Sequence, residues 1–215
     1  ANFRRVTVGR LPFWRRQAIG SWVDAGVWPA KWIALPGEPE AARTVAYRNC
    51  FTLAAPEKFM LGVCADAVYR LWLDGEELAT GPELGDVEHT YVDTYELALE
   101  AGPHALVAAV SSSAAYAKIE FRHGFLAAVD GACAAQLETN ARNWQARPVP
   151  GHRFAQIPGW PGSVGLELIF DAAGYPDGVE RGEGDGWLPV TELWPGGDAE
   201  LRNEFAPQPL LYPAA

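Results

Sequence analysis

The chain reads as all-β, an antiparallel β-sandwich, on three observations. Short apolar runs alternate with a period of two, and Gly and Pro, 22 and 17 of the 215 residues, punctuate those runs at the intervals of a sandwich. No window of a dozen residues carries helical periodicity. The length suits one large domain that buries most of its apolar surface without cross-links.

Strands are expected, in order, over Thr44–Leu53, Lys58–Ala65, Val68–Leu73, Glu77–Ala79, Thr90–Tyr95, His104–Ser111, Lys118–Val129, Cys133–Glu138, Trp144–Val149 and Leu166–Asp171. The links are short, which implies antiparallel neighbours. The most informative run is Val68 to Pro82: Tyr69, Leu71 and Leu73 fall on one face and Val68, Arg70 and Trp72 on the other. Asp74-Gly75 then reverses the chain, since a type I′ turn needs positive φ at both central residues. Leu106, Ala108 and Val110 alternate with Val107 and Ala109, so that strand is apolar on both faces and central. In Lys118–Val129, Ile119, Phe121 and Phe125 are expected inside, with Lys118, Glu120 and Arg122 towards water. Asp130-Gly131 repeats the hairpin signal. Beyond Pro148 turn-rich stretches such as 158–162 and 174–186 take over, so residues 28–215 read as one sandwich domain with an irregular, loop-rich C-terminal third, after a basic arm at 1–27.

Charge is unevenly placed. Residues 1–31 hold Arg4, Arg5, Arg10, Arg15, Arg16 and Lys31 against Asp24 alone, while the other 184 residues hold 11 bases and 26 acids, a net −15. A body this acidic repels phosphate backbones, which argues against nucleic acid as a partner. The arm reads as a solvated or interdomain segment whose arginines meet acids elsewhere. No apolar run reaches the ~20 residues of a membrane helix, and no apolar segment follows the N-terminal arginines as in a signal peptide, so no membrane role is expected and the compartment stays open. Cys50, Cys64 and Cys133 are odd in number and far apart, and read as reduced, small apolar strand residues.

Catalytic signatures are absent from the sequence: there is no G-x-S-x-G, H-E-x-x-H, phosphate-binding or dinucleotide-binding glycine motif. His89, His104, His123 and His152 lack metal-ligand spacing, so neither metal nor cofactor is expected. Glu76-Glu77, at a hairpin tip, reads as a solvated edge rather than an acid/base pair.

An ordered set of motifs remains. Trp28-Pro29-Ala30-Lys31-Trp32-Ile33 comes first, then Tyr47 to Leu53, then Tyr69 to Gly75. Gly81-Pro82 with Gly85-Asp86 and His89 follows, then Tyr91-Val92-Asp93-Thr94-Tyr95 and Gly102-Pro103-His104. Later come Leu137 to Trp144, and Ile169 to Ala172 with Asp185-Gly186-Trp187-Leu188-Pro189. In order and spacing the set resembles the N-terminal β-sandwich of bacterial α-L-rhamnosidases of glycoside hydrolase family 78. Asp74 stands where that family commonly has Asn, and Thr90 where an aromatic residue is frequent.

The resemblance implies a jelly-roll, galactose-binding-domain-like sandwich. It also implies that the catalytic acids belong to a separate (α/α)₆ barrel of the same parent protein, so this chain alone is not expected to be catalytic. Two roles stay open. The domain packs against that barrel and shapes its entrance, with nine tryptophans supplying aromatic surface to bury. Alternatively it binds a rhamnose-containing oligosaccharide through Trp72, Asp86, His89, Tyr91 and Trp160, by ring stacking and hydrogen bonds to hydroxyls. Four of those five have a plainer reading: Trp72 in core or interdomain packing, Asp86 and His89 pinning their loop by hydrogen bonds to backbone, and Trp160 as a plug over a neighbouring domain.

Overall fold

The computed structural model describes residues 2–8, 11–13, 15–16, 26–37, 43–81, 89–112, 124–156, 158–159, 166–196 and 204–207. Strands run in chain order as β1 (Asn2–Val6), β2 (Arg15–Arg16), β3 (Gly26–Val27), β4 (Lys31–Ala34), β5 (Arg43–Leu53), β6 (Glu57–Asp66), β7 (Val68–Leu73), β8 (Glu76–Gly81), β9 (His89–Leu99), β10 (Gly102–Ser112) and β11 (Gly124–Asp130). A four-residue helix, α1 (Ala134–Leu137), precedes β12 (Trp144–Pro148), β13 (His152–Gln156), β14 (Leu166–Phe170), β15 (Leu188–Pro189), β16 (Thr191–Pro195) and β17 (Glu204–Pro207).

Two sheets face each other. One has the order β1-β9-β6-β11-β4-β16 and the other β15-β12-β5-β10-β7-β8. Pairing is antiparallel except that β17 lies parallel to β9, opposite His89–Val92, just beyond the Thr94–Ala98 stretch that β1 occupies. That parallel pair departs from the antiparallel expectation because β17 arrives from far along the chain rather than through a hairpin. β13 and β14 form a separate ribbon.

Alternation builds the interior. Phe59, Leu61 and Val63 of β6, Tyr95 and Leu97 of β9, and Phe125 and Val129 of β11 meet Tyr47 of β5, Leu71 and Leu73 of β7, Leu106 and Val110 of β10, and Trp144 of β12 in one cluster. Phe125 bridges the sheets, stacking on Tyr47 at 5.5 Å and tilted against Trp144 at 5.4 Å. The expected split of β7 holds: Tyr69, Leu71 and Leu73 are buried inside and Val68 is exposed. Asp74 at φ 53° and Gly75 at φ 84° make the positive-φ turn that the dipeptide signals.

Both outer faces are also covered, which the alternation does not reveal. Leu11, Phe13, Trp28, Ala30 and Trp32 pack over Cys64, Val92, Leu126 and Ala128 on the back of the first sheet. On the back of the second, Val179 of the 3₁₀ turn Val179–Arg181 packs on Ala46 and Val149, with Tyr175 and Trp187 beside them. β11 is therefore buried on both faces from Gly124 to Val129, not half-solvated as expected, while Lys118, Ile119, Glu120, Phe121 and Arg122 lie outside the described residues.

Three further expectations are corrected. Cys133–Glu138 is not a strand: Cys133 N–H donates to Glu57 Oε1 at 3.0 Å and the chain winds into α1. Asp130-Gly131 is not a second type I′ hairpin, since neither residue has positive φ; a Cβ at Gly131 would lie 2.5 Å from Phe59 Cβ, so glycine serves close approach there. Cys50 is exposed on β5, whereas Cys64 and Cys133 are buried; all three are free.

Candidate functional site

The motif residues of β7, β8 and β9 converge at one end of the interior. Asp93 sits two residues before Tyr95, on the inward side of β9, and is fully buried. Tyr69 donates its hydroxyl proton to Asp93 Oδ2 at 2.5 Å, and its oxygen lies 2.8 Å from that of Tyr95. A phenol has one proton to give, so Tyr95 donates to Tyr69, which donates to Asp93. Arg5 of β1 completes the set, its Nη2 donating to Asp93 Oδ1. A Cβ at Gly81 would stand 2.1 Å from Asp93 Oδ2 and 3.0 Å from the Tyr69 hydroxyl. Only glycine admits β8 this close.

The electrostatics are those of a closed cluster. Burial first, then the neighbouring Tyr95 and Asp93, pushes the Tyr69 phenol well above its ordinary value, and burial with Asp93 does the same to Tyr95. Both remain protonated donors at any physiological pH. The arrangement ties β1, β7, β8 and β9 together and positions the start of β9, the exit from the 81–89 link. Arg4 adds an exposed ion pair to Glu96 at 2.9 Å, so two arginines of the arm do meet acids of the body.

Of the five residues expected to touch sugar, Trp72 and Tyr91 have side chains among the described residues, and they lie on different sheets. Trp72 is 5% exposed, on the outer face of β7 against Val107 and Ala109, with the Arg70 guanidinium 5.2 Å from its ring centroid. Neither of its faces is open to a sugar ring. Tyr91 is half-buried on β9, two positions before Asp93 on the other sheet. His89 opens β9 opposite Glu204; its side chain, Asp86 and Trp160 lie outside the described residues.

A different feature opens beside the second sheet. A cleft of about 400 Å³ is lined by Arg43, Thr44, Arg147, Val149, His152 and Asp185. β5 and β12 pair with Pro148 opposite Val45, which brings Arg43 and Arg147 to the same edge, and the β13–β14 ribbon brings His152. Arg147 and Arg48 flank the Trp187 ring at 5.5 and 4.4 Å from its centroid, and Arg48 also donates to Gln145 and to the Gly182 carbonyl. Sequence reading singled out none of these side chains as a site, because they come together only through pairing of β5 with β12 and the return of the 174–186 loop. Among the described residues no group of three or more acids, histidines or cysteines is placed to hold a metal ion.

No family model and no curated protein matches the chain. Solved structures do. A family 78 rhamnosidase of Bacillus sp. GL1 superposes with a TM-score of 0.68 at 20% identity, over 84% of this chain and 20% of that one. The α-L-rhamnosidase of Aspergillus terreus gives 0.59 at 16% identity, over 77% and 21%. A lectin of Pleurotus ostreatus, solved in complex with GalNAc, gives 0.56 at 15% identity, over 84% and 46%. The chain thus spans about a fifth of the length of these rhamnosidases and under half of the lectin. At such identities the likeness is one of fold: over most of its length this chain has the β-sandwich found within α-L-rhamnosidases of family 78 and in a lectin.

Proposed function

We propose that the chain is a non-catalytic β-sandwich domain of an α-L-rhamnosidase-like glycoside hydrolase, packing against and supporting a separate catalytic barrel of the same parent protein. The observation that carries this reading is the buried cluster: Tyr69, Gly81, Asp93 and Tyr95, all within the ordered motif set, are spent on holding four strands together. Leu168 and Phe170, two positions apart on β14, and Leu188 on β15 are 43%, 56% and 48% exposed, and supply apolar surface of the kind a neighbouring domain covers. In this reading the domain boundaries run 28–215 for the sandwich, with 1–27 as a basic arm whose strand Asn2–Val6 joins the first sheet beside β9.

Carbohydrate binding is the second reading, favoured by the lectin of like fold and by the open cleft. Tryptophan emission of the purified chain, titrated with L-rhamnose, rhamnose-containing oligosaccharides and GalNAc, separates the two. A supporting domain gives no response at millimolar sugar; a saturable response establishes the binding role. Reading the coding sequence that flanks these residues tests the shared premise, which requires a helical-barrel region in the same polypeptide.

A further inference from the structure

Asp-Gly occurs at 74–75, 130–131, 177–178 and 185–186. In such a dipeptide the glycine N–H, unshielded by a side chain, attacks the aspartate side-chain carboxyl. The N–Cγ bond forms, the carboxyl hydroxyl and the amide proton leave as water, and a five-membered imide results. Hydrolysis of the new N–Cγ bond restores aspartate; hydrolysis of the original peptide C–N bond routes the chain through Cβ and Cγ and leaves isoaspartate. Only water leaves and returns, so conformation decides which dipeptide reacts: the carboxyl and the amide must be free, and the backbone between them must be able to turn.

Three of these dipeptides are held. Asp74 accepts from the Ala105 N–H at 2.8 Å through Oδ1, and its Oδ2 lies 2.7 Å from His104 Nδ1. Asp130 ends β11 opposite Met60, and a Cβ at Gly131 would lie 2.5 Å from Phe59 Cβ. Gly178 is buried before the 3₁₀ turn, its carbonyl accepting from the Arg181 and Glu183 N–H groups at 3.0 and 2.9 Å. Asp185-Gly186 differs. Residues 183–186 are all exposed, Gly184 and Gly186 flank the aspartate at φ 80° and 83°, and a Cβ at Gly186 would meet nothing within 4 Å. Among the described residues no hydrogen bond or ion pair engages the Asp185 carboxylate or the Gly186 N–H.

We infer that Asp185-Gly186 is a modification site, the position at which the folded chain converts spontaneously to isoaspartate. The product carries one more main-chain carbon two residues before Trp187, whose ring Arg48 and Arg147 flank, and three before Leu188, one of the two residues by which β15 pairs with β12. It also carries a new free α-carboxylate. Isoaspartyl methyltransferases esterify such a carboxylate with the methyl group of S-adenosylmethionine, and the imide then re-forms with loss of methanol, so that class of enzyme is the one that acts on the aged domain. The inference stands on this loop and does not rest on the accessory-domain reading.

The test incubates the purified 215-residue chain at 37 °C and reads aspartate against isoaspartate at all four dipeptides, by peptide mapping with electron-transfer fragmentation. Isoaspartate is expected to form at Asp185 about tenfold or more faster than at Asp74, Asp130 or Asp177, because ring closure at those three waits for hydrogen bonds or strand packing to open. In urea above the unfolding midpoint the four rates should converge. Asp185→Glu, whose side chain has to close a six-membered ring, should remove most of the methyl transfer from labelled S-adenosylmethionine to the aged, folded chain. Isoaspartate at any of the other three as fast as at Asp185 in the folded chain, none at Asp185, undiminished methyl transfer in the Asp185→Glu chain, or the same preference for Asp185 in urea each overturns the inference. Should Asp185→Glu not fold, mapping of the unsubstituted chain alone decides.

Discussion

Replacing Tyr69 with Phe removes one oxygen from a fully buried ring and leaves its packing intact, so the cost reports the hydrogen-bond relay alone. Two bonds go: the one to the Asp93 carboxylate at 2.5 Å and the one from Tyr95 at 2.8 Å. A bond to a charged acceptor is worth about 1.5–3 kcal/mol and a neutral one about 1 kcal/mol, so Tyr69→Phe should cost roughly 2–4 kcal/mol. Tyr95→Phe removes only the bond between phenols and should cost about 1 kcal/mol. With an urea m-value of roughly 2–3 kcal/mol/M for a chain of this size, the Tyr69→Phe midpoint should fall by about 1–1.5 M. Urea unfolding followed by far-UV circular dichroism reads both variants side by side. A Tyr69→Phe shift no larger than that of Tyr95→Phe would show that Asp93 is held by other contacts and that the relay is not the pin between β7 and β9.

Other outcomes follow from the same packing. Gly81→Ala drives a Cβ to 2.1 Å from Asp93 Oδ2 and should cost about 1–3 kcal/mol, read in the same urea experiment; a neutral result would mean β8 moves freely. His104 is subject to burial, which lowers its pKa, but hydrogen bonds to the Glu100 carbonyl and the Asp74 carboxylate, 2.9 and 2.7 Å away, outweigh it and the net shift is upward. A raised folded pKa stabilises fully below the ordinary value near 6.5 and is lost as pH rises through the folded one, so thermal stability should decline over that window and His104→Gln should flatten the decline. An unchanged pH profile in that variant would remove His104 from the account. A thiol reagent at pH 8 should label one cysteine quickly, Cys50, and all three only after unfolding, since Cys64 and Cys133 are buried and burial pushes the Cys133 thiol to about 12. Fast labelling of two or three would contradict the described packing.

What the sequence shows and hides divides by range. The Asp74-Gly75 turn and the inward set Tyr69, Leu71 and Leu73 are local, because one dipeptide and one alternation determine them. β1 is not legible: Asn2–Val6 carries two arginines, and its place in the sheet depends on partners about ninety residues away, Glu96 and Asp93. Cys133–Glu138 reads as a strand because its apolar residues alternate, yet α1 forms where Glu57 takes the Cys133 amide and the Trp144 indole takes the Leu137 carbonyl. Trp72 is correctly placed on the outer face, but its burial by Val107, Ala109 and Arg70 comes from neighbouring strands. The cleft is hidden for the same reason, since Arg43 and Arg147 are far apart in the chain and line it together only because β5 pairs with β12. Motif order reveals the cluster residues without saying that they are scaffold; that requires the distances.

The most direct test of the accessory-domain account is turnover of an aryl α-L-rhamnoside by the purified 215-residue chain. The account predicts a rate equal to that of buffer alone. Release of the aryl group above that rate by pure chain would place catalytic groups within the sandwich and contradict it.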